Sequence, residues 1–258
     1  MIYEPYLYDD VFVLRYKFDI KDAKKLKEVE NKIVSDRLHT LSKYPKYPIK
    51  GKFDFSHMRE IHWFLFSPIY DWAGHPREED IIRHELILNH RSIQYETCKN
   101  IEKSSEMILN SMKAVPWNNL TFDQKISEIS KYFAELWRIH PFREGNTRTI
   151  STFIIQYMEE QGVYISRENF SKNAQMLRDA LVYAADKDDS RQPEYLEAII
   201  RWSIDKNNRE SEKNRGTGNK SLMDYLDIIN IKRKINLIRR IDKNNENIKN
   251  KEDVDKIK

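Results

Sequence analysis

Apolar residues recur at helical spacing through most of this chain. From Asp22 to about Leu41, the residues Leu26, Val29, Ile33, Leu38 and Leu41 return every three to five positions, and Asp22 is placed to cap a helix. Residues 1–20 are aromatic and irregular, tied down by Tyr3, Tyr6 and Tyr8, and Lys43 to Lys52, with two prolines, reads as a loop. Ser56 is expected to cap a second helix with Met58, Ile61, Phe64 and Leu65 inward, ended by Trp72-Ala73-Gly74-His75-Pro76. A third helix spans about Ile101 to Lys113. Thr121 and Gln124 form a capping box that opens a fourth through Ile126, Ile129, Phe133, Leu136 and Trp137. Thr149 to Gln161 is apolar on most sides, as a buried helix is, and Asn173 to Ala185 and Glu194 to Ile204 complete the set. Only Glu85–Leu88, Asn89–Arg91 and Ser92–Tyr95 read as strand, turn and strand. Strands this short need a surface to lie on. The pattern predicts an all-α fold carrying one small hairpin.

Past residue 205 the texture changes. Gly216-Thr217-Gly218-Asn219-Lys220-Ser221 has the look of a phosphate loop, but no Lys directly follows its last glycine and no strand precedes it, so it reads as linker. Ser221 to Ile241 reads as an amphipathic helix, with Leu222, Leu226, Ile229 and Ile238 among its apolar residues and basic residues in its second half. A main domain over 1–205 and a basic extension over 206–258 are expected.

Charge and composition narrow the function classes. The net charge is +4, yet residues 206–258 alone carry 15 Lys/Arg against 9 Asp/Glu, so the main domain is close to neutral and has little electrostatic support for binding nucleic acid. No run approaches the ~18 apolar residues of a transmembrane segment, and the first residues lack a signal-peptide layout. A single cysteine, Cys98, cannot form an internal disulfide, which fits a reducing, cytoplasmic setting, with export into a host cell left open. His84 and His90 are six residues apart, unlike the i,i+4 pair of a zinc helix.

The chemistry gathers in His140-Pro141-Phe142-Arg143-Glu144-Gly145-Asn146-Thr147-Arg148, between two predicted helices. His140 titrates in the range needed to take a proton from a hydroxyl. Glu144 offers the hard oxygens that Mg²⁺ prefers beside substrate phosphates. Gly145 permits close backbone approach, and the amides of Gly145, Asn146 and Thr147 open a helix whose unpaired N–H groups attract anions. Arg148 adds a planar fork suited to phosphate. Phe142 reads as an apolar anchor turned inward beneath the loop.

This string resembles the signature of the Fic family, and the segment from Phe53 to Ile69-Tyr70-Asp71-Trp72-Ala73-Gly74 resembles that family's early helix and loop. The resemblance implies a mainly helical bundle, with a β-hairpin flap beside the active-site loop, that transfers AMP from ATP to a Ser, Thr or Tyr hydroxyl of a target protein. It makes His140 the general base, Glu144 the Mg²⁺ ligand, Gly145, Asn146 and Thr147 the anion cradle, and Arg148 the holder of the outer phosphates. The flap residues Ser92, Ile93, Gln94 and Tyr95 would dock the target as an added strand. Two positions depart from the common pattern: Thr147 stands where many AMP-transferring members have Gly, and Ser151 where they have a second Arg. Lys marks the Thr147 position in a phosphate-transferring branch.

Many Fic proteins are held inactive by a Ser/Thr-x-x-x-Glu-Gly/Asn helix. Glu followed by Gly or Asn occurs here at Glu30, Glu144, Glu168 and Glu246, and the residues four before are Leu26, His140, Tyr164 and Asp242. None fits, so a small inhibitory antitoxin protein acting in trans is expected. A silent adaptor on the same scaffold, and an enzyme using another phosphate-containing donor, remain the alternatives.

Overall fold

A computed structural model describes residues 6–8, 13–15, 17, 18, 20–43, 49, 51–187 and 191–204. The extension over 206–258, with its linker and amphipathic stretch, lies outside the described residues, as does Tyr3.

Eight α-helices form the described part: α1 (Ala23–Lys43), α2 (Phe55–Phe66), α3 (Ile101–Lys113), α4 (Phe122–Ile139), α5 (Asn146–Glu160), α6 (Arg167–Lys172), α7 (Ala174–Ala185) and α8 (Glu194–Ser203). Among the described residues there is no sheet, only the isolated antiparallel bridges Leu7–Leu14 and Ile165–Ile204. The fold is all-α, as the periodicity predicts. α4 is central and packs on α3, α5, α7 and α8, while α2 lies across α5 and carries α1 on another side. α5 buries Asn146 and every residue from Thr149 to Met158, which makes it a rigid base for whatever its N-terminus holds.

Side-chain caps account for four of the eight helix starts. The Asp22 carboxylate accepts from the Lys25 amide at 2.8 Å, and both halves of the Thr121–Gln124 capping box are made. α2 is capped by Asp54, whose side chain accepts from the His57 amide at 2.9 Å, and not by Ser56. The inner face of α2 shifts accordingly: Phe64 is only half-buried, and His57 and His62 are buried with Met58, Ile61 and Leu65. α6 was not expected; Ser166 caps it through the Asn169 amide at 3.2 Å.

The expected hairpin is not a pair of strands. Leu86–Leu88 forms a single 3-10 turn, and Asn89 and His90 take left-handed φ values of 53° and 67°. A strand would send Ile87 and Leu88 to opposite faces, yet both are buried. Glu85 turns inward as well, where Arg178 donates to both its oxygens at 2.7 and 2.9 Å and the Tyr95 hydroxyl donates at 3.0 Å. The loop is closed by the Glu85 amide on the Arg91 carbonyl at 3.2 Å, and Arg91 donates to Asp186 at the end of α7 at 3.1 Å. Side-chain pairing to α7 replaces the ladder.

Candidate active site

The α4–α5 loop begins at His140, which caps α4 in the left-handed region at φ 51°, ψ 59°. That conformation costs a non-glycine residue ~1–2 kcal/mol, so something must hold it. The buried Arg77 does so. Its Nε donates to the His140 carbonyl at 2.9 Å, and its Nη2 donates to the Ile139 carbonyl at 3.3 Å and to the Glu96 carbonyl. Its own amide donates to the Pro141 carbonyl at 2.8 Å. The His140 Nδ1 lies 3.3 Å from the Trp137 carbonyl, a contact that requires Nδ1 to carry the proton and leaves Nε2 as the basic nitrogen. Burial, followed by the charge of Arg83, holds the imidazole pKa well below its ordinary value, so the ring is neutral at pH 7.

Asn146 opens α5 with its side chain spent on the loop. Its Oδ1 accepts from the Phe142 amide at 2.9 Å and its Nδ2 donates to the Phe142 carbonyl at 2.7 Å. Only its backbone N–H is left for an anion. The first backbone bond into the helix is the Thr149 amide on the Gly145 carbonyl at 3.0 Å, so the N–H groups of Asn146, Thr147 and Arg148 have no acceptor within the helix. The Thr147 side chain turns back onto α4, where its Oγ1 accepts from the Trp137 indole at 2.9 Å. Gly145 is required twice over, by φ +79° and because a Cβ would meet Phe66 Cζ at 2.3 Å.

Phe142 is fully buried under the loop, its ring stacked on His62 at 3.8 Å and 12°. His62 accepts the Gly74 amide at Nδ1 (2.8 Å), which leaves Nε2–H to donate to the Glu144 carbonyl at 3.1 Å. Burial pushes its pKa down to about 3, so the ring stays neutral. The Trp72-Ala73-Gly74 turn and the motif loop are thereby joined through one imidazole.

The Glu144 side chain sits between two arginines: Oε1 accepts from the Gly145 amide at 2.9 Å and lies 3.6 Å from Arg148, and Oε2 lies 3.3 Å from Arg83. Burial alone would raise its pKa, but Arg83, the Gly145 amide and Arg148 outweigh it and keep the group an ionised carboxylate. An ionised carboxylate offers the hard oxygens that suit a Mg²⁺ whose other ligands are phosphate oxygens, and Glu144 is the motif residue that could supply them.

These groups share one cavity of ≈ 530 Å³ lined by His140, Glu144, Gly145, Asn146, Thr147 and Arg148. All six motif residues singled out in the sequence are thus brought together. Of the flap residues, Ile93 is buried, the Gln94 carbonyl accepts from Arg138 at 3.2 Å, and the Tyr95 ring lies 4.8 Å from that of His140. The Ser92 hydroxyl accepts from the Arg83 amide at 3.2 Å.

Sequence reasoning missed Arg77, His62, Arg83 and Arg178, which lie far from the motif, and it dismissed Glu30. Glu30 reaches the cavity from α1, where Arg148 lies 2.6 Å from its Oε1 and the Tyr70 hydroxyl donates to its Oε2. Burial and that carboxylate raise the Tyr70 pKa, so the phenol remains a donor. A signal for Glu30 existed: it stands four residues from Leu26 and four from Val34, on the stripe of α1 that is buried.

Known proteins align with this geometry. A model described as the Fic/DOC family matches residues 52–158. Protein adenylyltransferase VbhT of Bartonella schoenbuchensis is 28% identical over 228 residues, which is 87% of this chain but only 44% of that protein. The probable protein adenylyltransferase Fic of Escherichia coli is 25% identical, covering 66% of this chain and 80% of that one. In fold, the chain is similar to the BepC protein of Bartonella tribocorum with bound AMPPNP (TM-score 0.61, 22% identity, 78% of this chain and 96% of that). It is likewise similar to an N-terminal Fic domain with bound ADP from Bartonella quintana (TM-score 0.59, 20% identity, 78% and 94%). The match to the Fic/DOC family model runs from just before α2 to near the end of α5 and takes in the whole of the His140–Arg148 loop.

Proposed function

We propose that this chain is a protein adenylyltransferase that moves AMP from ATP to a Ser, Thr or Tyr hydroxyl of a target protein. One observation carries the reading: a neutral imidazole with a free Nε2 shares a cavity with the unpaired amides at the N-terminus of a buried helix. The amides of Asn146 and Thr147 and the guanidinium of Arg148 would hold the donor phosphates. Glu144 would hold Mg²⁺, which when bound neutralises phosphate charge. The target hydroxyl oxygen attacks the α-phosphorus, its proton passes to His140 Nε2, the bond to the bridging oxygen breaks, and pyrophosphate leaves. The Tyr95 ring lies beside His140, and Ser92 to Tyr95 are the segment we assign to target docking, as an extended stretch rather than a ladder edge. VbhT and the Escherichia coli protein bear adenylyltransferase names, which supports the same assignment. The test is incubation of the purified chain with labelled ATP, Mg²⁺ and lysate, with mass spectrometry of the products. Addition of AMP that His140→Ala abolishes upholds the reading; a different added group, or nucleotide binding with no transfer, refutes it.

Restraint of the site has two readings. The missing Ser/Thr-x-x-x-Glu-Gly/Asn pattern favours an inhibitory protein in trans, a toxin–antitoxin arrangement. The Glu30–Arg148 ion pair favours restraint in cis, because a guanidinium held by a carboxylate is withdrawn from phosphate. Glu30→Gln separates them: faster transfer by the isolated chain supports restraint in cis, and unchanged or slower transfer leaves the task to a partner. The extension over 206–258 is assigned as a separate, basic appendage to the catalytic unit over 1–205.

A further inference from the structure

The second motif arginine is absent, and the structure shows what stands there instead. Ser151 is buried, its hydroxyl has no hydrogen-bond partner, and it lines a different cavity, walled by Leu38, Ile155 and Phe170. No positive charge reaches the phosphate side of the site from that position. The cavity of His140 is nonetheless lined by Arg83, Arg148 and Arg178. Arg178 is committed to both oxygens of the buried Glu85, and Arg148 is held by Glu30. Arg83 differs from both. Its backbone is fixed through the Ser92 hydroxyl, and its guanidinium rests on Glu144 Oε2 at 3.3 Å with both side chains about a third exposed (30% and 33%). An ion pair open to water to that degree holds its members weakly.

We propose that Arg83 is a ligand of the donor's outer phosphates, the cation that the loop before Ser92 supplies in place of the one missing at position 151. Glu144 lies between Arg83 and Arg148, with one carboxylate oxygen toward each. The two arginines balance that carboxylate. Glu144 would hold the divalent ion that accompanies the donor, and the Arg83 fork would then be free to turn to the phosphate oxygens, facing Arg148 from the other wall. Guanidinium is suited to this because its planar donors match phosphate in pairs. The loop thus senses the length of the polyphosphate as well as flanking the target.

This proposal rests on the adenylyltransferase reading, and a binding measurement keeps the two apart. The full chain is titrated calorimetrically, with Mg²⁺ present, with the α,β-methylene analogue of ATP and separately with AMP, as wild type, Arg83→Met and Arg83→Lys. Loss of one charge-assisted contact predicts a fall in affinity for the triphosphate of about tenfold to a hundredfold in Arg83→Met. AMP affinity should stay within about threefold, and Arg83→Lys should lie between. Equal losses for triphosphate and AMP would overturn the proposal, since they would mean a disturbed cradle. Unchanged or tighter triphosphate binding in Arg83→Met overturns it too, because Arg83 would then only compete for Glu144. A wild-type chain that prefers the triphosphate but transfers nothing removes the enzymatic reading and leaves this one standing; a wild type that binds no nucleotide removes both.

Discussion

Replacing His62 by Phe isolates what one buried imidazole contributes. Phe keeps a flat ring stacked on Phe142 and on Phe66 (centroid distance 4.7 Å to Phe66) but has no ring nitrogen. The Gly74 amide and the Glu144 carbonyl then lose their partners in the interior. Each buried orphan costs ~1–3 kcal/mol, so the variant should lose about 2–5 kcal/mol at pH 7.5. The effect on pH dependence is sharper. The folded His62 pKa, about 3, lies below the unfolded value near 6.5, so the unfolded chain binds the extra proton. Stability from keeping this ring neutral is therefore fully present above pH ~6.5 and lost as pH falls toward 3, at about 1.4 kcal/mol per pH unit. Phe has no such slope. The gap between wild type and His62→Phe should narrow by about 2 kcal/mol between pH 6.5 and pH 5, while slopes from His57 and His140 cancel because both proteins keep those residues. Urea unfolding at pH 7.5, 6.0 and 5.0, followed by tryptophan fluorescence, measures it. A gap that stays constant with pH, or a variant as stable as wild type, refutes the bridging role.

Three further outcomes follow from the same geometry. Gly145→Ala combines a left-handed φ with a 2.3 Å approach to Phe66, and should lose about 2–4 kcal/mol in thermal unfolding together with nucleotide binding. Glu85→Gln breaks a pair whose carboxylate is almost wholly enclosed; unfolding should be easier by about 3 kcal/mol, and proteolysis should cut first near residues 83–92. The log of kcat/KM for AMP transfer should be flat through pH 7 and bend downward only below 6.5, because burial and then Arg83 depress the His140 pKa; an inflection at or above 6.5 would contradict that environment.

All the helices but α6 were legible because they announce themselves within a few residues, as in the Thr121–Gln124 box, the Leu109–Met112 face of α3 and the apolar run of α5. The motif residues were legible for the same reason, since nine consecutive positions carry them. What could not be read is what arrives from elsewhere. Arg77 is 63 positions from the carbonyl it holds, and nothing near it marks an arginine that will be sealed inside. The 85–95 segment alternates like a strand, but a long-range partner, Arg178, draws Glu85 inward and overrides the local preference. Glu30 was set aside for lacking a Ser/Thr four positions earlier. The structure shows the apolar stripe of α1 to be the better guide.

Arg77 also has a consequence for how the protein is made. Beyond the Trp137 carbonyl, which accepts from the His140 amide and Nδ1, the left-handed turn at His140 is held by a guanidinium that arrives from a segment that must first find the end of α4. During synthesis the earlier half emerges with nothing to grip, and the later half emerges with an unfixed imidazole. The imidazole can therefore take its fixed place only once both segments are present and have closed on each other.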